Sequence, residues 1–436
     1  MKYSTIMIVK DKGRLLIIII LLFVTALPAL VSGQSNINSP YTRYGPGNLH
    51  ENGLDPRTTA MGGIHYGLQR NDLINTANPA SYIAFDSVSF IFDAGIFGIN
   101  ANLRTDEITD QGSYISLSHL LFGFPVTHWW KSSFGIMPFS YVGYDIYNYD
   151  EFEGATPIVY NYRGSGGFNQ LYWGNAFRIG KKFSAGFNLK YMFGNISRNR
   201  GVGFPDSLDM KNTRVNSNIR PSDIYGEIGV QYKETLPKGH FIVAGATFAP
   251  QVKINSKATY IATTYFGLIN SSSLYYDTIE FIPDSAGTWT LPIRLGTGVT
   301  AGKEGQWLAG LDFLWQNWEK YEYFGQSDSL LNRWTIAAGG EYIPDPRSKS
   351  YFERMTYRLG FHYGKTPLNL KGHHIDEIGI SFGLGFPIKK SKSTVNLSAS
   401  LGRKGTTQDG LIQENFFRFT VGVNVYENWF FKSKYY

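Results

Sequence analysis

His373 and His374 stand side by side, with Asp376 and Glu377 just beyond them. These are metal-ligand residue types, but one adjacent pair cannot close a four-ligand site by itself. Ser118, His119 and Asp145 are the residue types of a hydrolytic site, yet nothing in their spacing brings them together. No phosphate-binding loop, dinucleotide fingerprint or zinc spacing is present. The chain therefore reads as a non-enzyme, with no metal or cofactor expected. Four other charges, Asp93, Lys190, Arg358 and Arg418, sit on the polar faces of strictly alternating stretches. Their meaning depends on what those stretches enclose.

From about Val88 to Tyr426 the dominant signal is period-2 alternation in segments of roughly ten residues, the length that crosses a bilayer as a tilted strand. Phe183, Ala185, Phe187, Leu189, Tyr191 and Phe193 share one face, opposed by Ser184, Gly186, Asn188, Lys190, Met192 and Gly194. Ile378, Ile380, Phe382, Leu384 and Phe386 repeat the pattern, as do Phe417, Phe419, Val421, Val423 and Val425 around Arg418. Charges keep to the polar face, as they must where Lys or Arg facing lipid at the midplane costs about 2–4 kcal/mol. About fourteen such runs can be counted: 88–102, 113–125, 130–145, 166–180, 182–197, 219–233, 239–256, 288–302, 306–320, 332–343, 354–365, 375–387, 393–403 and 414–426. Longer polar gaps at 103–112, 146–165, 198–218, 257–287, 321–331, 366–374 and 404–413 alternate with mostly short ones. This predicts an all-β fold, a transmembrane antiparallel β-barrel of about fourteen strands, with long outer loops, short periplasmic turns and both termini periplasmic.

Composition and export signals agree. Lys2, Lys10, Lys12 and Arg14 precede an apolar run from Leu15, and Val31-Ser32-Gly33 suits signal-peptidase cleavage, so residues 1–33 read as a signal peptide. Removing them takes the formal charge from +7 to +4, because four cations and Asp11 leave together. An excess of this size is no argument for nucleic acid. The absence of cysteine excludes a disulfide framework and thiolate metal sites. Aromatic residues are abundant (29 Tyr, 31 Phe, 9 Trp) while only 17% of residues are charged, which suits side chains facing lipid in a Gram-negative outer membrane.

Residues 34–87 differ: they are dense in Gly, Pro and Asn and lack strand-length alternation. Ala60-Met61-Gly62-Gly63 is followed by Asn75-Thr76-Ala77-Asn78-Pro79-Ala80, then Phe85-Asp86 and the first strand. A side chain that bonds nearby backbone, followed by a residue of fixed φ, can hold a turn against a wall without strand pairing. This order resembles the N-terminal hatch of the FadL-like long-chain fatty-acid transporters, the toluene-transporter (toluene-X) family. The C-terminal stretch from Glu414-Asn415-Phe416-Phe417-Arg418-Phe419 through Trp429-Phe430-Phe431-Lys432 looks like the ending of outer-membrane relatives of that family. The resemblance implies three regions: signal peptide 1–33, a luminal hatch 34–87 in which Asn78, Pro79 and Ala80 hold a turn, and a barrel over 88–436.

In that family a kink in the third strand opens a side window, so the resemblance implies that Pro138 marks such a window here; a tolerated bulge or an earlier strand end is the other reading of that proline. Pro250 and Pro292 lie similarly in other strands. The four face-aligned charges become lumen groups, where a cation can meet a carboxylate ligand or the charges together can stiffen the wall. The expected function is passive uptake of hydrophobic small molecules, fatty acids or aromatic hydrocarbons, by a monomer in the outer-membrane lipid. Some relatives are instead non-transporting partners in protein secretion, including the type IX pathway, or in surface assembly. The aromatic 257–287 segment, with Tyr260, Tyr265, Phe266, Tyr275 and Tyr276, suits either a protein-binding surface or a lid.

Overall fold

The computed structural model describes residues 39–50, 55–150, 157–205, 207, 209–266, 276–389 and 391–428. The expected signal peptide and the Trp429–Lys432 ending lie outside them. The wall is a closed antiparallel barrel of fourteen strands. In chain order these are β1 (Ser89–Arg104), β2 (Thr109–Pro125), β3 (Trp130–Asp150), β4 (Ile158–Ile179) and β5 (Phe183–Gly203). Then β6 (Asn212–Pro221, continued as Asp223–Thr235), β7 (His240–Ala249, continued as Val252–Tyr265) and β8 (Tyr276–Leu291, continued as Arg294–Lys303) follow. The circuit ends with β9 (Trp307–Gln316), β10 (Arg333–Tyr342), β11 (Thr356–Leu370), β12 (His373–Pro387), β13 (Thr394–Lys404) and β14 (Gln413–Asn428). β14 closes on β1 from Gln413↔Arg104 to Asn428↔Ser89. Among the described residues no helix is long and apolar enough to cross a membrane.

Each of the fourteen alternating runs contributes to one wall strand, and the faces separate as lipid and lumen require. Phe183, Leu189, Leu311, Leu359, Phe382 and Leu401 point outward and are exposed, while Ser184, Asn188, Lys190, Ser381 and Ser400 are buried inside. Strand ends differ from expectation where alternation outruns the bilayer. The gap 366–374 shrinks to the turn Lys371-Gly372, because β11 and β12 extend to Leu370 and from His373. Most of 257–287 is likewise strand, with β7 reaching Tyr265 and β8 starting at Tyr276, so the described part of this aromatic region is a paired hairpin. Both Pro250 and Pro292 fall in the breaks of β7 and β8, where no ladder N–H is needed. β6 breaks beside them at Ser222. β7 and β8 resume in the same register, Ala249↔Arg294 continuing as Val252↔Leu291, whereas β6 slips by one residue against β7, from Ile228↔Phe248 to Pro221↔Ser256.

Residues 39–50 and 55–88 run through the interior. A 3₁₀ turn Pro40–Arg43 and a one-turn helix Pro56–Ala60 precede a second 3₁₀ turn, Pro79–Ala84. The helix contacts β11 to β14, and the second turn contacts β3 to β6 on the opposite wall. Gly62 and Gly63 have φ of +73° and +90°, which only glycine adopts without strain, and they turn the chain just after the helix. The segment after β9 also folds inward: Trp318 and Tyr321 are buried in one apolar cluster with Tyr41, Trp289 and Leu330.

Candidate functional site

The luminal segment is fixed to the wall by its polar groups. Asn78 caps the Pro79–Ala84 turn, its Oδ1 accepting from the Ala80 N–H at 3.2 Å, and its Nδ2 donates to Tyr66 O at 2.8 Å and to the wall carbonyl of Val230 at 3.3 Å. Buried Asp312 on β9 accepts the backbone N–H groups of His65 and Tyr66 at 2.6 and 2.8 Å. Thr300 on β8 donates to Gly67 O at 2.7 Å, and Ser381 on β12 accepts from the Gly62 N–H at 2.9 Å.

A chain of ion pairs continues the attachment. Arg57 pairs with Asp72 at 3.1 Å, Arg70 joins Asp72 at 2.9 Å and also pairs with Glu341 of β10, and Glu341 meets Arg358 of β11 at 3.1 Å. Arg358 then donates to Asn396 of β13 at 3.0 Å. Burial alone would raise the Asp72 carboxyl, but Arg70 and Arg57 hold it well below the usual carboxylate range. His65 shows the opposite case. Burial, with Arg294 adding to it, pushes its imidazole down to about 3, so it is neutral.

Asp93, Lys190, Arg358 and Arg418 each have their own setting. Lys190 pairs with Glu227 at 2.7 Å, and Arg294 also approaches that carboxylate at 3.7 Å. Arg358 belongs to the ion-pair chain. Asp93 is buried between His119 Nε2 and Asn424 Nδ2, both at 3.0 Å. The guanidinium of Arg418 lies 5.6 Å over the Phe416 ring. Ser118 Oγ reaches His119 Nδ1 at 3.1 Å, so Ser118, His119 and Asp93 do form a linked set, whereas Asp145 bonds Asn161 elsewhere. The set is wholly buried at the bulge where Gly95↔His119 gives way to Ile96↔Leu117, and it satisfies polar groups there instead of facing a cleft. His373 and His374 part company: the first meets Asp409 at 2.6 Å and the second Thr366 O at 2.7 Å. Among the described residues no group of three or more candidate ligands could hold a metal.

Pairing across the sequence holds what alternation could not show, a break in the wall between β2 and β3. These strands pair only from Leu120↔Ile136 to Pro125↔Lys131. Beyond Ile136 the edge of β3 is free of β2, and Pro138 sits at the start of that free edge, beside a bulge between Pro138↔Asn169 and Ser140↔Phe168. The luminal segment takes the vacated edge. Leu49↔Ser140 and Asn48↔Tyr141 pair antiparallel, the His50 N–H donates to Phe139 O at 3.0 Å, and the Ser39 N–H donates to Gly143 O at 2.9 Å. Across the gap, the ring of Tyr114 on β2 stacks on Tyr141 with centroids 5.4 Å apart.

An internal cavity of about 100 Å³ reaches this gap. Leu121, Met137, Phe139 and His50 line it on the β2–β3 side, and Pro250, Pro292 and Trp318 line it on the side of the strand breaks.

Comparisons with known proteins follow this architecture. The toluene transporter TodX of Pseudomonas putida is 14% identical, with a TM-score of 0.56 over 88% of this chain and 100% of that one. A FadL homologue of Pseudomonas aeruginosa is 11% identical, with a TM-score of 0.55 over 86% and 98%. The monoaromatic hydrocarbon channel CymD is 13% identical, with a TM-score of 0.56 over 87% and 98%. At such identities the likeness is one of fold, that of an outer-membrane β-barrel of the FadL and toluene-transporter type. No curated protein matches the chain in sequence. The family assignment differs in name from the one its motifs suggested: on a match covering residues 14–436, the chain belongs to the BamG family.

Proposed function

We propose that this barrel is a monomeric, non-enzymatic channel that admits a small hydrophobic molecule and releases it sideways between β2 and β3 into the outer membrane. The observation that carries this reading is the edge of β3 beyond Pro138, which β2 leaves and only the luminal segment covers, lying against an internal cavity. Apolar ligands are driven by burial of area, roughly 25 cal/mol per Å², and gain nothing from a watery exit. A cavity of about 100 Å³ is near the size of one aromatic ring and well below a fatty acyl chain; an engineered cavity of about 150 Å³ binds benzene. We assign the short-turn end, where β1 starts and β14 ends, to the periplasm. The neighbours described as toluene and monoaromatic hydrocarbon channels support the same ligand class.

The chain contains no cysteine, so Asn48→Cys with Tyr141→Cys adds a disulfide across the covered edge without competing thiols. Oxidation should stop uptake of radiolabelled toluene in cells lacking other hydrocarbon channels, and reduction should restore it. Equal uptake in both states would refute lateral release.

A second reading has its own support. The lumen is bolted by buried ion pairs, its cavity is small, and the β7–β8 hairpin carries exposed aromatic residues, Phe281 on β8 and Phe266 just past the end of β7. A rigid barrel with an exposed aromatic hairpin suits a partner in protein secretion or surface assembly. Native mass spectrometry of gently extracted protein separates the two: small apolar adducts favour the channel, and a stable large partner favours assembly.

A further inference from the structure

The end of the barrel that carries the short turns opens into a second chamber, of about 520 Å³. Its wall is strongly basic. Lys131, Arg178, Lys181, Lys233 and Lys303 all line it, and none of the five makes an ion pair among the described residues. The acids of the chamber are largely spent: Asp86 bonds Lys392, Asn71 and Tyr426, and Glu341 lies between Arg70 and Arg358, which leaves Glu304.

Two buried polar groups in this chamber lack partners. Lys131 is only 1% exposed and its Nζ has no hydrogen-bond acceptor; the Oγ of Ser184 is also buried and unpaired. A buried ammonium without a counter-charge is costly, and an anionic ligand in the chamber would offset that cost. Phe85, Phe241 and Trp307 are interleaved with the cations, and Lys233 lies 5.6 Å over the Phe241 ring.

We propose that this chamber is a binding site for an acidic peptide segment, offered by a partner protein on the side of the short turns. The cations are spread over the beginnings and ends of several strands, so they match a chain of carboxylates better than one compact anion. A single water takes about 30 Å³ of liquid volume, so the chamber far exceeds a lone small ion. The aromatic rings give apolar side chains of the same peptide a place to pack, and the barrel wall keeps membrane lipid out. This inference does not depend on whether the lumen conducts a ligand.

The test is fluorescence anisotropy of a labelled hexaglutamate peptide added to the full-length barrel in neutral detergent, with hexaserine as control. Lys131→Met should weaken hexaglutamate binding by about tenfold or more, since loss of one member of a buried charge pair is expensive. The double variant Lys181→Gln with Lys303→Gln should weaken it by a smaller factor and flatten its salt dependence. The mouth variant carries the test if Lys131→Met fails to fold, as judged by heat-modifiable migration on gels. Unchanged affinity in the variants that fold would overturn the proposal. So would full displacement of the peptide by millimolar inorganic phosphate, which would reveal a small-anion site. Binding that occurs only in nanodiscs containing phosphatidylglycerol would assign the chamber to a lipid headgroup instead.

Discussion

Asp312 on β9 accepts the backbone N–H groups of both His65 and Tyr66, at 2.6 and 2.8 Å. One wall carboxylate thus holds two consecutive peptide groups of a segment that has no strand pairing at that point. Hydrogen bonds to a charged group contribute about 1.5–3 kcal/mol each, and unpaired buried N–H groups are costly.

Asp312→Ala should therefore lower unfolding stability by about 3 kcal/mol and increase amide exchange at residues 65–68. Exchange mass spectrometry in detergent reads this directly. An unchanged exchange rate there would mean that the segment is held by its other contacts alone.

Close approach is a second form of attachment. A Cβ at Gly360 on β11 would collide with the backbone of Met61, and one at Gly245 on β7 with the carbonyl of Tyr66. Gly360→Ala should cost about 1–3 kcal/mol, the usual penalty for overpacking, and should push the 55–68 region off the wall. The same substitution at Gly201, where the nearest atom would lie 3.7 Å away, should be nearly silent. Thermal unfolding of the pair measures the contrast.

The ion-pair chain gives a third outcome. Glu341→Leu leaves buried Arg358 without its carboxylate and should cost about 3–5 kcal/mol. Adding Arg358→Met should recover most of that loss, because an apolar replacement of a whole buried pair is close to neutral. A double variant no more stable than the single one would show that Arg358 is held mainly by Asn396.

Acid should loosen the luminal segment in two stages. Neutral His65 takes up a proton near pH 6.5 when unfolded but only near 3 when folded, so the unfolded state binds more protons in between. The contribution of His65 is full above pH 6.5 and falls by about 1.4 kcal/mol per pH unit below it. Asp72, depressed in the folded state, adds its loss only below its unfolded value of about 4. His65→Gln should reduce, but not abolish, the fall in unfolding temperature between pH 6.5 and 4.5, because burial pushes the imidazole of His50 down to about 3 as well, and should leave the steeper fall under pH 4. Circular dichroism melts across that range test this.

The wall was readable in the residues because lipid on one side and lumen on the other force a period of two. Lys190 and Arg358 could be placed inward for the same reason, long before their partners were visible. The partners themselves were not legible: Glu227 and Glu341 lie on neighbouring strands, and register between strands leaves no local trace. The same blindness separated Asp93 from His119, 26 residues apart in sequence and joined across β1 and β2, so that Asp145 stood in for it. Strand ends were set too short at 366–374 and 257–287, since alternation there persists beyond a bilayer's thickness. Pro138 marked an irregular strand, but the loss of pairing beside it depends on β2, whose sequence alternates without interruption.

Ser222, Pro250-Gln251 and Pro292-Ile293 interrupt three adjacent strands along one line, across which β7 and β8 keep their pairing while β6 slips by one residue against β7. That line is a crease. The inward set of β7 passes from odd positions (Val243, Thr247) below it to even ones (Ile254, Ser256) above it, so the panel that includes the β7–β8 hairpin is set on the one below by a broken ladder about which it can tilt. The cavity edge formed by Pro250 and Pro292 lies on the crease, so tilting of the panel would change the volume enclosed opposite the β2–β3 gap.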